Sequence, residues 1–221
     1  MKKLRPLALV CAGPVSRSPL ARLPNLSRSL GWVKSTSYRV ASRAVNALGA
    51  GAPVADVDEM ARAVVWVVSV PRADLHATLS ELWSAQIRWD SRVLLILDSE
   101  AESEVASCFR AAGAAVASFA PIDADSSRYV VEGDAEAVLA VRALIDDPHR
   151  RSLVQIKKGA KAKYLAGART AATRMLSLIA EAVESFQSAG ISNSDAKRIT
   201  ESLVTGAMRL YLRAGRRSLK L

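Results

Sequence analysis

Short apolar runs alternate with amphipathic stretches through the first two thirds of the chain. Leu7 to Ala12, Ala63 to Val70 and Arg92 to Leu97 are apolar almost without interruption, the pattern of strands buried on both faces. Weaker strand candidates are Trp32 to Ser37, Ala114 to Phe119, Tyr129 to Val131 and Leu153 to Ile156. Between them, Val40 to Leu48, Ala73 to Ile87, Glu100 to Ala112 and Asp134 to Ile145 read as helices. Two-sided strands alternating with helices predict an α/β fold with a doubly wound parallel sheet.

After about residue 157 the pattern changes. Ala168, Ala171, Met175, Leu178, Ile179, Ala182, Val183 and Phe186 form one stripe at helical period between Gly159 and Ser188. Ala189-Gly190-Ile191 stops that helix, and Ser192 or Ser194 with Asp195 supplies the cap of a second, which carries Ile199, Leu203, Ala207, Leu210 and Tyr211. The expected division is residues 1–157 as the α/β domain and 158–221 as a small all-α domain. Two helices with one apolar face each do not make a large core alone, so a homodimer is expected.

Half of the 221 residues are hydrophobic, with 11 Gly and 8 Pro, which excludes a disordered or collagen-like chain. No apolar run reaches the roughly 18 residues of a membrane span. Cys11 and Cys108 are the two cysteines, too few for a disulfide framework, so a reducing cytoplasm is expected. The apolar run after Met1-Lys2-Lys3-Leu4-Arg5 is short for a secretory signal core, and no targeting segment is expected.

The net charge of +10 is unevenly divided. Residues 1–50 hold nine basic and no acidic side chains, residues 51–150 eight and seventeen, and residues 151–221 fourteen and four. An acid-free first segment suits an anion-binding face. Arg209, Arg213, Arg216, Arg217 and Lys220 make a basic tail, but no nucleic-acid motif accompanies it, and a solvated face is the simpler reading. Trp32, Trp66, Trp83 and Trp89 are too dispersed for a base-stacking platform, so nucleic acid is not expected as a partner.

Cys11-Ala12-Gly13-Pro14-Val15-Ser16 follows the first strand, where a parallel sheet holds a dinucleotide. Against G-x-G-x-x-G only Gly13 survives, with Cys11 and Ser16 replacing the outer glycines; a plain structural turn is the competing reading. After the second strand, Ser35-Thr36-Ser37-Tyr38-Arg39 offers hydroxyls and a cation where an NAD site has an acid, which suits a 2′-phosphate and NADP, with Arg43 one turn on. An exposed basic helix start is the alternative there. His76 and His149 form no metal or triad arrangement, and Cys108, mid-helix, is expected in the core.

Val68-Ser69-Val70-Pro71 before a helix and the strand Arg92 to Leu97, then Tyr129-Val130-Val131-Glu132-Gly133-Asp134-Ala135-Glu136-Ala137, then Lys161-Ala162-Lys163-Tyr164-Leu165-Ala166-Gly167-Ala168 leading to Leu178-Ile179-Ala180-Glu181-Ala182 and Ala189-Gly190-Ile191, resemble in order a 6-phosphogluconate-dehydrogenase-like family. Its members have an N-terminal Rossmann NAD(P)-binding domain and a C-terminal helical domain of unknown function. They are regarded as NADP oxidoreductases related to pyrroline-5-carboxylate and ketopantoate reductases. The resemblance implies a Rossmann-like sheet, NADP, and a cofactor site at Gly13, Pro14, Val15, Ser16, Ser37, Arg39, Ser69, Val70 and Pro71. It also implies reduction of a small carbonyl or imine.

Where the family or its relatives place polar groups, this chain has Leu165, Ala168 and Thr173, and Leu97-Asp98-Ser99-Glu100 replaces a His-Thr-Ser-Gly run. A proton donor would have to come from Tyr164 or Lys163, or from Lys161 or Arg169. The alternatives are a catalytically degenerate homologue acting as a dimeric binding or scaffold protein, and a binder of nucleic acid or an acidic partner.

Overall fold

The computed structural model describes residues 6–15, 18–123, 128–145 and 153–215. The chain divides into two compact units, Met1–Ala162 and Lys163–Leu221.

In the first unit the strands are β1 (Leu7–Cys11), β2 (Leu30–Lys34), β3 (Ala52–Pro53), β4 (Val65–Ser69), β5 (Val93–Leu97), β6 (Ala115–Pro121), β7 (Tyr129–Gly133) and β8 (Leu153–Gln155). They form one sheet in the order β3-β2-β1-β4-β5-β6-β7-β8. The first six strands are parallel and carry the 3-2-1-4-5-6 order of a Rossmann sheet. β7 departs from the parallel expectation by running antiparallel to β6. Seven residues separate Pro121 from Tyr129, too few for a crossover helix, so the chain must fold back on itself.

The helices of this unit are α1 (Leu26–Ser29), α2 (Tyr38–Leu48), α3 (Arg72–Ser84), α4 (Ser107–Ala111) and α5 (Ala135–Ile145). Strand alternation feeds two apolar layers. Leu7, Leu9, Val67, Leu95 and Phe119 face the layer of α2 and α5. Ala8, Val10, Trp66, Leu94 and Ile96 face the layer holding Leu75, Leu79 and Leu82 of α3. The helix expected over residues 100–112 is instead a 3-10 turn, Ser103–Ala106, followed by the short α4. Phe109 takes the buried position there, between Trp83 and Trp89, and Cys108 is exposed rather than in the core.

The second unit holds most of α6 (Lys161–Arg169), a π turn (Thr170–Arg174), α7 (Met175–Ser188) and α8 (Asn193–Ala214). The π turn interrupts what the stripe predicted as one regular helix. Gly190, at φ +86°, ends α7, and the amide of Ile191 donates to the Phe186 carbonyl across it, as in a Schellman cap. Ser192 Oγ then accepts from the Asp195 amide to start α8. α7 has no buried residue, and α8 has two, Ala196 and Thr200.

The backbones of β6 and β7 approach closely at Gly133, opposite Ala117 on β6. Its φ is +136°, and a Cβ there would meet the Val116 carbonyl oxygen at 2.3 Å and Ala117 Cα at 2.5 Å. Both atoms are backbone, so β6 and β7 would have to separate. Gly133→Ala should cost at least about 3 kcal/mol in urea unfolding; a loss under about 1 kcal/mol would show that the hairpin yields.

Candidate functional site

β1 is flanked on both edges, so the chain leaves it at the carboxyl end of the sheet, beside the end of β4. Cys11 pairs with Ser69, and the Ala12 amide donates to the Ser69 carbonyl at 3.3 Å. Gly13, Pro14, Ser69, Val70 and Pro71 are therefore brought together, Pro71 standing at the N-cap position of α3. Gly13 has φ +76°, and a Cβ added to it would meet nothing within 4 Å, so the backbone is open to a ligand. Cys11 does not block the turn. Its side chain is 2% exposed and belongs to the core layer below the sheet end, and burial pushes its thiol up to about 11.

Ser35 is buried and donates to the Cys11 carbonyl at 2.6 Å, tying the ends of β1 and β2. Its hydroxyl proton is committed to the fold. Ser37 caps α2, its oxygen accepting from the Val40 amide. Arg39 and Arg43 are exposed on the same helix, and Arg43 lines a cavity at this turn. That cavity, about 400 Å³, lies between Gly13-Pro14-Val15 and the α2 residues Val40, Arg43, Ala44 and Ala47. Its walls are mostly apolar with one cation, and its size falls within the range of small-ligand sites. Ser16 lies outside the described residues, as do His149, Arg216, Arg217 and Lys220.

The turn departs from a dinucleotide cradle in the segment after it. Between β1 and β2 the described chain has a four-residue 3-10 turn, Pro19–Arg22, and the four-residue α1. Among the described residues no long helix of this connection points its N-terminus at Gly13, whereas a long helix dipole is what usually holds a pyrophosphate. The cavity thus has mostly apolar walls and one arginine, and among the described residues short turns stand where a dinucleotide cradle has a long helix.

Among the proton-donor candidates, Lys161 is 1% exposed. Its ammonium donates to the carbonyls of Asp98 and Ala101 and to Ser118 Oγ, so its three protons are used within the fold. Beside it Glu132, fully buried, accepts from the amide and hydroxyl of Ser103 and from the Gly159 amide. Asp134 accepts from Arg110 at 2.8 Å, Lys158 at 3.3 Å and the Val116 amide, and these partners hold its carboxyl below the usual range against the opposing effect of burial. Glu132-Gly133-Asp134 is thus a structural clasp joining β6, β7, the Ser103 turn and the start of α6. One signal was readable: an acid at the end of an apolar strand must be matched inside the protein. Lys163 is exposed and Tyr164 and Leu165 half-buried on α6, and Arg169 is exposed; all four belong to the second unit. His76 is exposed on α3, and among the described residues no group of three His, Cys, Asp or Glu could hold a metal ion.

Residues 127–219 match the family model described as Domain of unknown function (DUF2520). No curated protein matches the chain. Its fold superposes on that of a Bacteroides fragilis protein named for a proposed NADP oxidoreductase activity, with TM-score 0.74 at 13% identity over 97% of this chain and 83% of that one. An imine reductase from Myxococcus stipitatus in complex with NAD+ gives 0.68 at 17% identity, covering 97% of this chain and 78% of that chain. A pyrroline-5-carboxylate reductase from Coxiella burnetii gives 0.61 at 12% identity, covering 99% and 83%. At these identities the likeness is one of fold, and that fold is a Rossmann-like sheet followed by a helical region.

Burial pushes the Lys161 ammonium down to about 8, against the pull of Asp98 and Glu132. The unfolded chain releases that proton near 10.5, so from pH 8 to 10.5 the unfolded state binds more protons and stability rises with pH, by at most about 1.4 kcal/mol per unit. Cys11 opposes this above pH 9, where the unfolded thiol ionises and the buried one does not. Urea midpoints should therefore rise between pH 8 and 9, and this rise should vanish in Lys161→Met. An equal rise in the variant would show that another group titrates.

Proposed function

We propose that the chain is a nucleotide-binding protein of the Rossmann oxidoreductase type that takes NADP at the Gly13 turn and works as a homodimer. The observation that carries this reading is the open cavity between Gly13–Val15 and α2, at the carboxyl end of β1, with Arg43 in its wall. Apolar side chains of Val15, Val40 and Ala44 suit a purine face. A guanidinium can pair with a phosphate on the attached ribose. Arg39 and the absence of acid from the first 50 residues add to the anion preference.

When bound, NADPH supplies a hydride. A reductase would also need a proton donor at the substrate, and the chain is poorly supplied there: Leu165 is apolar and Lys161 is committed to the clasp. Lys163 and Tyr164 remain the candidates. The reading favoured by these residues is cofactor binding without hydride transfer to a small carbonyl or imine.

Leu176 and Leu178 on α7, and Leu203, Leu210 and Leu212 on α8, are each more than 40% exposed. A second copy of the same two helices would cover them, as in other isologous dimers. The two cysteines are free thiols, as a cytoplasmic protein would keep them.

NADPH titrated calorimetrically against the protein should saturate, and Arg43→Ala should weaken binding about tenfold, or about 1.4 kcal/mol. No saturation at millimolar cofactor would end the reading. Turnover of keto-acid or imine substrates would restore the reductase, with Lys163 and Tyr164 to be substituted next. Sedimentation at micromolar concentration should give a dimer; a monomer would refute that part.

A further inference from the structure

The connection from β1 to β2 is punctuated by Pro14, Pro19 and Pro24, spaced five residues apart. A proline lacks the amide proton a helix interior needs and steers the residue before it out of helical backbone. The structure obeys this at the two later sites: Ser18 has ψ 152° and Leu23 has ψ 106°, both extended, and Gly13 is left-handed before Pro14. No run in this connection can exceed about one helical turn, whatever binds beside it. The segment is also fixed in place. Leu20, Leu23 and Leu26 are buried in the core, and Asn25 donates from its backbone and side-chain amides to the Leu144 and Ala143 carbonyls of α5. Ligand binding therefore cannot create the missing helix.

Resting on the nucleotide-binding reading above, we propose that the site recognises an adenosine phosphate as a mononucleotide, and that a dinucleotide gains nothing from its second half. The cavity beside Gly13 offers an apolar slot and Arg43, which is what an adenine with a ribose phosphate requires. Among the described residues of this connection no long helix offers a pyrophosphate its N-terminus, and Ser16 stands in the sequence where the fingerprint has a glycine. On this reading the nicotinamide half of a dinucleotide adds no affinity.

Calorimetry on the full chain with three probes tests this. Adenosine 2′,5′-bisphosphate should bind within about threefold of NADP, Arg43→Ala should weaken both by the same factor, and nicotinamide mononucleotide should not bind. NADP binding more than about tenfold tighter than the bisphosphate would overturn the inference while leaving the nucleotide-binding reading in place. Binding of neither would overturn both. Arg43 is exposed, so an unchanged circular dichroism spectrum separates lost binding from lost fold.

Discussion

β1 is buried on both faces and hydrogen-bonded along both edges, and this confinement governs what surrounds it. Its five residues are at most 5% exposed, Leu7 and Leu9 turned to one layer and Ala8 and Val10 to the other. A strand held in this way can leave the sheet only through its end, where the next residue must turn sharply away from β4. Gly13 makes that turn at positive φ, and Ser35 and Ser69 fix the neighbouring strand ends around it. The open ground above the sheet results from the way the core closes below it.

At the far edge the same sheet is completed by polar rather than apolar means. Glu132, Ser103, Ser118 and Lys161 bury their polar atoms by bonding one another or backbone, which avoids the cost of leaving a charge unmatched in the interior. Gly133 allows β7 to approach β6 closely enough for this, and Asp134 secures the start of α5 with Arg110. Motif residues that resemble catalytic groups thus hold the strand ends and the first residue of α6 together.

Much of the fold was legible because burial on two faces leaves so plain a mark: β1, β4 and β5 lie within two residues of the runs that predicted them. The antiparallel β7 was not, since its apolar run carries no sign of direction, and only the short connection decides it. The two-residue β3 has no pattern to read. Cys108 was misplaced because a short 3-10 turn shifts the helical phase, giving Phe109 the buried position. At the site, Gly13 and Arg43 could be singled out from the chain, but their shared cavity could not, because it is made by how the Gly13 turn and α2 lie together in space. The sequence also could not tell that Lys161 is spent inside the fold, while Lys163, two residues on, is exposed.

The π turn at Thr170–Arg174 lies between α6 and α7 without ending either. Each residue advances an α-helix by about 100°, and a wider turn absorbs an extra residue without breaking the backbone ladder. The apolar side of α7 is for that reason set independently of the side that α6 presents. Length changes in this stretch act like a rotating collar: they re-aim the leucines of α7 about its axis and leave the composition of either helix untouched.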